Sequence, residues 1–292
     1  MKIRLLVNET KKWNPDTVVA AGEELVVRNI EELAKRGYDI TVYRTGEKLT
    51  FNGVKYESRD DFIPEEFSEI TLIRKDSNVL GNINSLYIGY WTDELDAKEK
   101  LMGKEHLFDD IICISNWQNK TYFNRKAKVV PLGIDRELYL GGIKEEYSVL
   151  YASSPDRGLD VLLNCWDKVR KRIPNAKLYI TYLNYSEKEM IELYKKCDVW
   201  AYPCTGVEMY CQTATKAQAA GCVPVVIPFM ALKETVKHGV LTPPEAFCED
   251  LIETLLNKSL KTTIRERLSK VKFYSWGEST DKLEELWQHL KE

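Results

Sequence analysis

The sequence has no apolar run long enough to cross a membrane as a helix, which takes about 20 residues. Its first ten residues, MKIRLLVNET, turn polar after one short apolar stretch, unlike a secretory signal peptide, so we expect a cytoplasmic protein. Glycine and proline number only 15 and 10 among 292 residues, which excludes collagen-like and low-complexity chains. The length and a hydrophobic content of 44% instead predict a globular protein of two domains.

The sequence also lacks an excess of basic residues. Its formal net charge is −3, and neither half of the chain has more basic than acidic residues, which argues against a nucleic-acid partner. Seven cysteines are present without any Cys-x-x-Cys pair, and the three histidines lie far apart, so we expect no metal site. Inside a cell these thiols should be reduced and packed, including Cys204 and Cys211.

What the sequence does have is an alternation of apolar stretches and amphipathic helices, the pattern of a parallel sheet covered on both faces. The first half predicts strands at residues 3–7, 38–43, 70–73, 85–88, 111–115 and 129–130, and a helix at residues 23–36. The second half predicts strands at residues 148–152, 177–182, 199–202 and 223–227, and helices at residues 159–172, 187–197 and 214–220. The C-terminal segment is predicted to be helical.

The alternation is interrupted once, by Pro131-Leu132-Gly133-Ile134-Asp135 and the polar residues 141–146 that follow. We therefore predict domains at residues 1–135 and 136–275, with a separate C-terminal helix at residues 276–292. The predicted fold class is α/β, with two Rossmann-like doubly wound domains facing each other across a cleft. In such folds ligands bind at the carboxyl ends of the strands, so the residues that follow each strand are candidate site residues.

The first candidate segment is Ser153-Ser154-Pro155-Asp156-Arg157-Gly158, which follows a predicted strand and opens a helix. Backbone amides, small hydroxyl groups and an arginine at a helix N-terminus are suited to holding a phosphate. The alternative is a helix cap that carries a surface arginine.

The second candidate segment, residues 203–216, follows the strand predicted at residues 199–202 and precedes a helix rich in small residues. Glu208 lies within it as a strand-end carboxylate, and the alternative is an acid exposed on a loop.

Both segments resemble the C-terminal domain of GT-B-fold glycosyltransferases, most closely the retaining family-4 class. The resemblance depends on the run from Glu208 to Lys216, which is followed by Ala217-Gln218-Ala219-Ala220-Gly221-Cys222-Val223-Pro224-Val225. Residues 131–135, 233–239 and 274–276 are also similar to that family. The resemblance extends over essentially the whole chain and is weakest in residues 45–110.

The resemblance implies specific roles on the donor side. Arg157 stands at the family's phosphate-clamp lysine, with Ser153 and Ser154 beside it, and Glu208 at the glutamate that orients the donor sugar. The amides at the start of the next helix would face the diphosphate, and they belong to Gln212, Thr213, Ala214 and Thr215.

On the acceptor side, Gly22 matches the family's glycine turn beside the donor phosphates. Asp93 follows Trp91 and Thr92 at the strand-end position of a frequent active-site histidine, and it is either an acceptor-side polar group or a helix N-cap. The family also implies that residues 1–135 bind the acceptor and residues 136–275 the donor. The C-terminal helix would cross back to the first domain.

The sequence departs from the family pattern at three places in the donor domain. The segment between the strand predicted at residues 177–182 and the helix predicted at residues 187–197 is short, whereas in the family it carries an extra strand and loop beside the base. Lys216 stands where the second glutamate of the E-x7-E motif usually holds the ribose, and the upstream arginine of the phosphate clamp is replaced by small residues. Either Lys216 supplies the missing cation to the diphosphate, or recognition of the donor has decayed.

The resemblance implies a retaining, metal-independent transfer from a UDP-, GDP- or ADP-linked sugar to an unknown acceptor, with no cofactor. A degenerate GT-B module that binds a nucleotide or glycan without turnover is the alternative, and a sugar-nucleotide epimerase is a third possibility. The aromatic and basic segment 115–128 fits either an ordinary exposed helix, which we favour because the domain has no basic excess, or a membrane-docking helix.

Overall fold

The computed structural model describes residues 1–8, 12–16, 21–76, 82–182 and 185–291. The chain divides into two compact units, one made of residues 1–133 together with 274–292, the other of residues 134–273. The chain thus enters the second unit after Gly133 and returns to the first unit at Tyr274. The segments 9–11 and 17–20 of the loop expected after the first strand lie outside the described residues.

The first unit contains a mostly parallel sheet, for which eight strands are seen in the described part of the chain. The strands are β1 Lys2–Val7, β2 Asp39–Arg44, β3 Leu49–Phe51, β4 Val54–Ser58, β5 Ser68–Arg74, β6 Ser85–Thr92, β7 Asp110–Cys113 and β8 Lys128–Val129. Their order is β3-β4-β2-β1-β5-β6-β7-β8, and the pair β3–β4 is antiparallel. The helices that follow the strands are α1 Ala21–Lys35, α2 Ala97–Leu101 and α3 Asn116–Tyr122.

Helix α1 shows how local sequence sets these elements. Leu25, Val26 and Ile30 are fully buried on the face that packs against the sheet. Acidic residues occupy the first turn, where their negative charge interacts favourably with the positive end of the helix dipole. Gly37 follows the helix with φ of +88°, a left-handed conformation that glycine adopts readily and that permits the sharp turn into β2.

The second unit contains a parallel sheet, whose described residues form five strands in the order β10-β9-β11-β12-β13. These strands are β9 Glu145–Ala152, β10 Lys177–Thr181, β11 Cys197–Tyr202, β12 Val223–Val226 and β13 Val240–Leu241. The helices are α4 Leu159–Arg172, α5 Glu187–Lys196, α6 Gln212–Ala219, α7 Leu232–Thr235, α8 Phe247–Leu256 and α9 Lys258–Ser269. Every residue of its central strands β11 and β12 is buried, as expected of parallel strands covered on both faces, and apart from Asp198 these residues are predominantly apolar.

The C-terminal helix α10, Trp276–Glu284, and the 3-10 segment that follows it, Glu285–Lys291, belong to the first unit. A capping box between Ser275 and Glu278 begins α10. Its Ser279 hydroxyl donates to the carbonyl oxygen of Pro131 at 2.6 Å, and Asn29 of α1 accepts hydrogen bonds from both Ser279 and Thr280. These buried hydrogen bonds tie the chain end to α1.

Several predicted bounds differ from the observed ones. Strand β6 extends to Thr92 rather than residue 88, and β11 begins at Cys197 rather than residue 199. The predicted strand at 111–115 ends at Cys113, because Ser115 instead caps helix α3. In the segments of the chain that the structure describes, no helix is long and apolar enough to span a membrane.

Candidate functional site

Two turns of the second unit come together because their strands are neighbours. Strands β9 and β11 pair in parallel, so the turns that follow Ala152 and Tyr202 lie at the same edge of the sheet. The chain leaves β9 towards β10 on one side, while β11 lies on the other side. The two turns therefore flank the topological switch point of the sheet, where doubly wound folds bind ligands.

Gly158 allows the two turns to touch. It has φ of +98°, and a Cβ atom at this position would lie 2.0 Å from the carbonyl oxygen of Pro203. Gly206 is close to the same turn, since its Cβ would lie 3.2 Å from Cγ of Arg157. A side chain at Gly158 would force the turns apart.

Glu208 lies at the centre of this contact and is only 8% exposed. Its Oε2 accepts hydrogen bonds from the hydroxyl of Tyr202 at 2.9 Å and from Nη1 of Arg157 at 3.1 Å. The thiol and the backbone N–H of Cys211 also hydrogen-bond the carboxylate. Glu208 is thus a buried acid held by donors from both turns, and the alternative of an exposed loop acid does not fit its position.

Arg157 is anchored at one end of its guanidinium. Its Nη1 donates to the carbonyl oxygen of Val207 at 2.6 Å as well as to Glu208, while 34% of the side chain is exposed. Burial lowers the pKa of Arg157, but the charge of Glu208 together with Tyr202 and Cys204 outweighs burial and raises the pKa, so the arginine keeps its charge. Ser153 joins the cluster through its hydroxyl, which lies 3.4 Å from that of Tyr202.

Burial also sets the ionisation of Glu208. It raises the pKa of the carboxyl group above its ordinary value, although Arg157, Tyr202 and Cys211 act in the opposite direction. The carboxylate therefore depends on these donors for its charge, and removing any of them should raise its pKa further.

Helix α6 starts directly after this cluster, behind Cys211, whose φ is +68°. The amide of Ala214 donates to the carbonyl oxygen of Cys211, and the Thr215 hydroxyl donates to that of Gln212. Ala214 and Thr215 are buried, as is Gln212, whereas Thr213 and Lys216 are half-buried. Of the predicted phosphate-facing residues on α6, Thr213 is thus partly open to solvent.

The first unit has its own charged cluster at the strand ends. Arg74, the last residue of β5, is fully buried, and its Nη2 donates to Oδ2 of Asp93 at 2.9 Å. A Cβ atom at Gly22, in the first turn of α1, would lie 2.6 Å from Nη2 of Arg74 and 2.8 Å from Oδ2 of Asp93. The helix start and the ion pair can approach this closely only because residue 22 is glycine.

Asp93 does not cap a helix, because Asp96 occupies the N-cap position of α2. Burial raises the pKa of Asp93, but the charges of Arg74 and Lys75 outweigh it and hold the pKa below its usual value. Asp93 is therefore a carboxylate across the physiological range.

The remaining features of the sequence are the aromatic and basic segment 115–128 and the cysteines. Helix α3 ends at Tyr122, since Asn124 and Arg125 have positive φ, so the aromatic and basic segment is a short helix followed by a turn. All seven cysteines lie in the described part of the chain as free thiols. Within the described ranges, no group of three or more histidine, cysteine or acidic side chains is arranged to hold a metal ion.

The structure thus brings the predicted residues into two groups. Ser153, Arg157 and Glu208 meet in the second unit, with Ser154 in the same turn and Lys216 in the second turn of α6, and Gly22 meets Asp93 in the first unit. Sequence reasoning missed Tyr202 and Arg74. Arg74 follows directly after the strand predicted at residues 70–73, so the strand-end rule could have selected it.

No protein-family model and no curated protein matches the sequence. Solved structures do match over nearly the whole chain. Sucrose-phosphate synthase from Thermosynechococcus elongatus has a TM-score of 0.73 and 15% identity, with 99% of each chain covered. Anabaena HepE in complex with UDP and glucose has a TM-score of 0.65 and 15% identity, again with 99% of each chain covered.

The trehalose-6-phosphate synthase OtsA has a TM-score of 0.65 and 11% identity, and the match covers 100% of this chain and 98% of that chain. At such identities the similarity concerns the fold. The chain has the α/β fold of GT-B glycosyltransferases, with parallel sheets in both units, which confirms the predicted fold class.

Proposed function

We propose that the protein is a glycosyltransferase that moves a sugar from a nucleotide-diphospho-sugar to an acceptor. The observation that supports this most strongly is the cluster of Arg157, Glu208, Tyr202 and Ser153 at the switch point of the second sheet. In a GT-B fold this edge is where a nucleotide sugar is expected. A cation and a buried carboxylate side by side suit a ligand that presents both phosphates and sugar hydroxyls.

The diphosphate leaving group is the first requirement of the reaction. Arg157 is fixed through Nη1 by Val207 and Glu208, so the rest of its guanidinium can bind a phosphate without first being ordered. The N-terminal end of α6 adds the positive end of a helix dipole, with the amide of Thr213 in its first turn. We assign these groups to stabilising the negative charge that develops on the departing diphosphate.

Lys216 lies one turn further along α6. We propose that its ammonium group also acts on the diphosphate, which compensates for the residues missing from the phosphate clamp. On this view a charge has moved from one side of the site to the other, and ribose binding does not use a carboxylate at this position.

Glu208 is assigned to the donor sugar. Its carboxylate is held by donors from both turns, so it can accept a hydrogen bond from a sugar hydroxyl in a fixed direction. We name no nucleophile. Following the family-4 resemblance, we propose transfer with retention and without a metal ion or cofactor, the leaving phosphate acting as the base.

The first unit is assigned to the acceptor. Gly22 and Asp93 meet beside Arg74 at the carboxyl ends of β1, β5 and β6. We propose that Asp93 accepts a hydrogen bond from the acceptor and that the Gly22 turn lies towards the reacting groups. UDP is the nucleotide to test first, because HepE was crystallised with UDP and with UDP-glucose.

The test is turnover in the presence of EDTA. UDP-, GDP- and ADP-glucose are incubated with the protein and a panel of sugar and polyol acceptors, and nucleotide release and the anomeric configuration of the product are measured. We expect one nucleotide sugar to be consumed, an α-linked product, and loss of activity in Arg157→Ala. Arg170→Ala, which removes an exposed arginine from α4 in the same unit, is the matched control and should keep the activity.

Each alternative has its own result. Saturable binding without turnover by any donor indicates the degenerate module, and interconversion of the free nucleotide sugar without acceptor indicates an epimerase. An inverted product contradicts retention, and activity that EDTA abolishes contradicts metal independence.

A further inference from the structure

Tyr202, the last residue of β11, is a buried tyrosine whose ring is held on two sides. Its ring stacks on Trp200 with centroids 5.3 Å apart and an interplanar angle of 29°, and the Tyr151 ring lies 6.2 Å away. The residue is 1% exposed. Because the ring is fixed by packing, the position of its hydroxyl group is fixed as well.

This hydroxyl contacts three predicted donor-site residues, and the Cys204 thiol also lies within hydrogen-bonding reach of it. It donates to Oε2 of Glu208 at 2.9 Å, accepts from Ser153 at 3.4 Å and also hydrogen-bonds Arg157. A tyrosine hydroxyl has one proton to donate and can accept from others, so this set of partners satisfies it. One atom therefore connects the turn after β9 with the turn after β11.

The direction of the hydrogen bonds at the Tyr202 hydroxyl affects the charge of Glu208. The Tyr202 proton points at Glu208, so it stabilises the ionised carboxylate, and the oxygen faces the hydroxyl of Ser153 and the guanidinium of Arg157. Without the hydroxyl, Glu208 would keep Arg157 and Cys211 as donors in a site where burial already disfavours its charge.

We propose that Tyr202 is a positioning residue of the donor site, which holds the Glu208 carboxylate in the orientation and charge state that bind the donor sugar. Tyr202 acts through Glu208 and does not itself touch the substrate. The inference deepens the proposed function and rests on it for the kinetic readout, whereas the ionisation of Glu208 is measurable without any ligand.

The test is Tyr202→Phe, which deletes the hydroxyl and keeps the ring. The protonation of Glu208 is followed in the ligand-free protein by infrared difference spectra across pH, its carboxyl band being the one absent in Glu208→Gln. A hydrogen bond to a charged group of the usual strength corresponds to a shift of about one pH unit, so we expect the Glu208 midpoint to rise by about one unit. Tyr179→Phe, which deletes a hydroxyl that donates to Glu145 elsewhere in the same unit, should leave that midpoint unchanged.

The second readout is the pH profile of kcat/KM. A carboxylate that accepts sugar hydroxyls must be ionised, so activity falls as pH drops through the pKa of Glu208, and in Tyr202→Phe this fall should occur at higher pH. At low pH the loss should appear mainly in KM for the donor, since ground-state binding of the sugar weakens.

An unshifted Glu208 midpoint in folded Tyr202→Phe overturns the proposal, even if the variant is less stable. If the wild type turns over no nucleotide sugar, the proposed function fails while the infrared titration still decides the role of Tyr202. If Tyr202→Phe does not fold, the wild type with isotope-labelled tyrosine is used instead. A tyrosine C–O infrared band that shifts with the titration of Glu208, and no longer shifts in Glu208→Gln, supports the role of Tyr202. If no tyrosine band shifts with that titration, the proposal is refuted.

Discussion

Removing the Arg157 side chain should destabilise the second unit by about 2 kcal/mol at neutral pH. Breaking a buried ion pair costs about 3–5 kcal/mol and breaking an exposed one about 0–1 kcal/mol. Glu208 is 8% exposed, but 34% of the Arg157 side chain is accessible, so solvent screening places this pair between the two cases. We therefore expect Arg157→Ala to lower the free energy of unfolding by an intermediate amount.

The stability lost in Arg157→Ala should increase with pH. The folded-state pKa of Glu208 is raised, so its contribution to stability is fully present below the unfolded value and is lost as pH rises through the folded value. Arg157→Ala should raise the folded-state pKa of Glu208 further, so the variant loses more stability than the wild type as pH rises. The difference in unfolding free energy between wild type and Arg157→Ala should thus grow as pH rises from about 5 to about 8.

Urea unfolding monitored by circular dichroism measures this difference at both pH values. In a Glu208→Gln background the charge is absent, so Arg157→Ala should cost less and its cost should no longer depend on pH. An equal loss at both pH values, or the same loss with and without the Glu208 carboxylate, would refute the assigned ion pair.

Three further predictions concern other positions in the two units. Gly158→Ala should lower the free energy of unfolding by more than about 2 kcal/mol, because the new Cβ clashes with a carbonyl oxygen and the position also has a positive φ. The control Gly37→Ala has a φ of +88° but open space around it, so it should lower the free energy of unfolding by only about 1 kcal/mol in the same urea assay. Asp93→Asn should lower the melting temperature, because it leaves Arg74 buried without its carboxylate partner. The difference in melting temperature from the wild type should close as pH falls below the ordinary aspartate pKa of about 3.9, since a carboxylate with a lowered folded-state pKa gives stability that is lost in acid. A difference that does not depend on pH contradicts this prediction. Lys216→Glu should weaken nucleotide-sugar binding at least about tenfold in a thermal-shift titration, because it reverses a charge assigned to the diphosphate, and tighter binding would instead show that the site has decayed.

Much of the second unit follows from its sequence. The helix predicted at residues 159–172 is confirmed with the same bounds, because its apolar residues keep helical spacing and Pro174 follows its end. The hairpin β3–β4 was not predicted, since the edge strand β3 has only three residues and β4, which pairs with it, has only five. The two helices at residues 247–269 were also missed.

The candidate site was predictable in part. Arg157 and Glu208 follow strand ends, and the rule that ligands bind there requires only the order of strands and loops. Arg74 follows the strand predicted at residues 70–73, so the same rule could have selected it, whereas Tyr202 is the last residue of β11 and resembles an ordinary strand residue. A shift of one residue in a strand moves each side chain to the other face of the sheet, and the sequence does not fix the end of a strand to within one residue.

The proposed function requires that the cluster around Arg157 binds a nucleotide diphosphate. Isothermal titration calorimetry of UDP, GDP and ADP in EDTA, on the wild type, Arg157→Ala and the control Arg170→Ala, tests it directly. Loss of a charge-assisted contact costs about 1.5–3 kcal/mol, so one nucleotide should bind the wild type and Arg170→Ala alike and Arg157→Ala at least about tenfold more weakly. Equal binding by all three proteins, or binding of no nucleotide by the wild type, would contradict the claim.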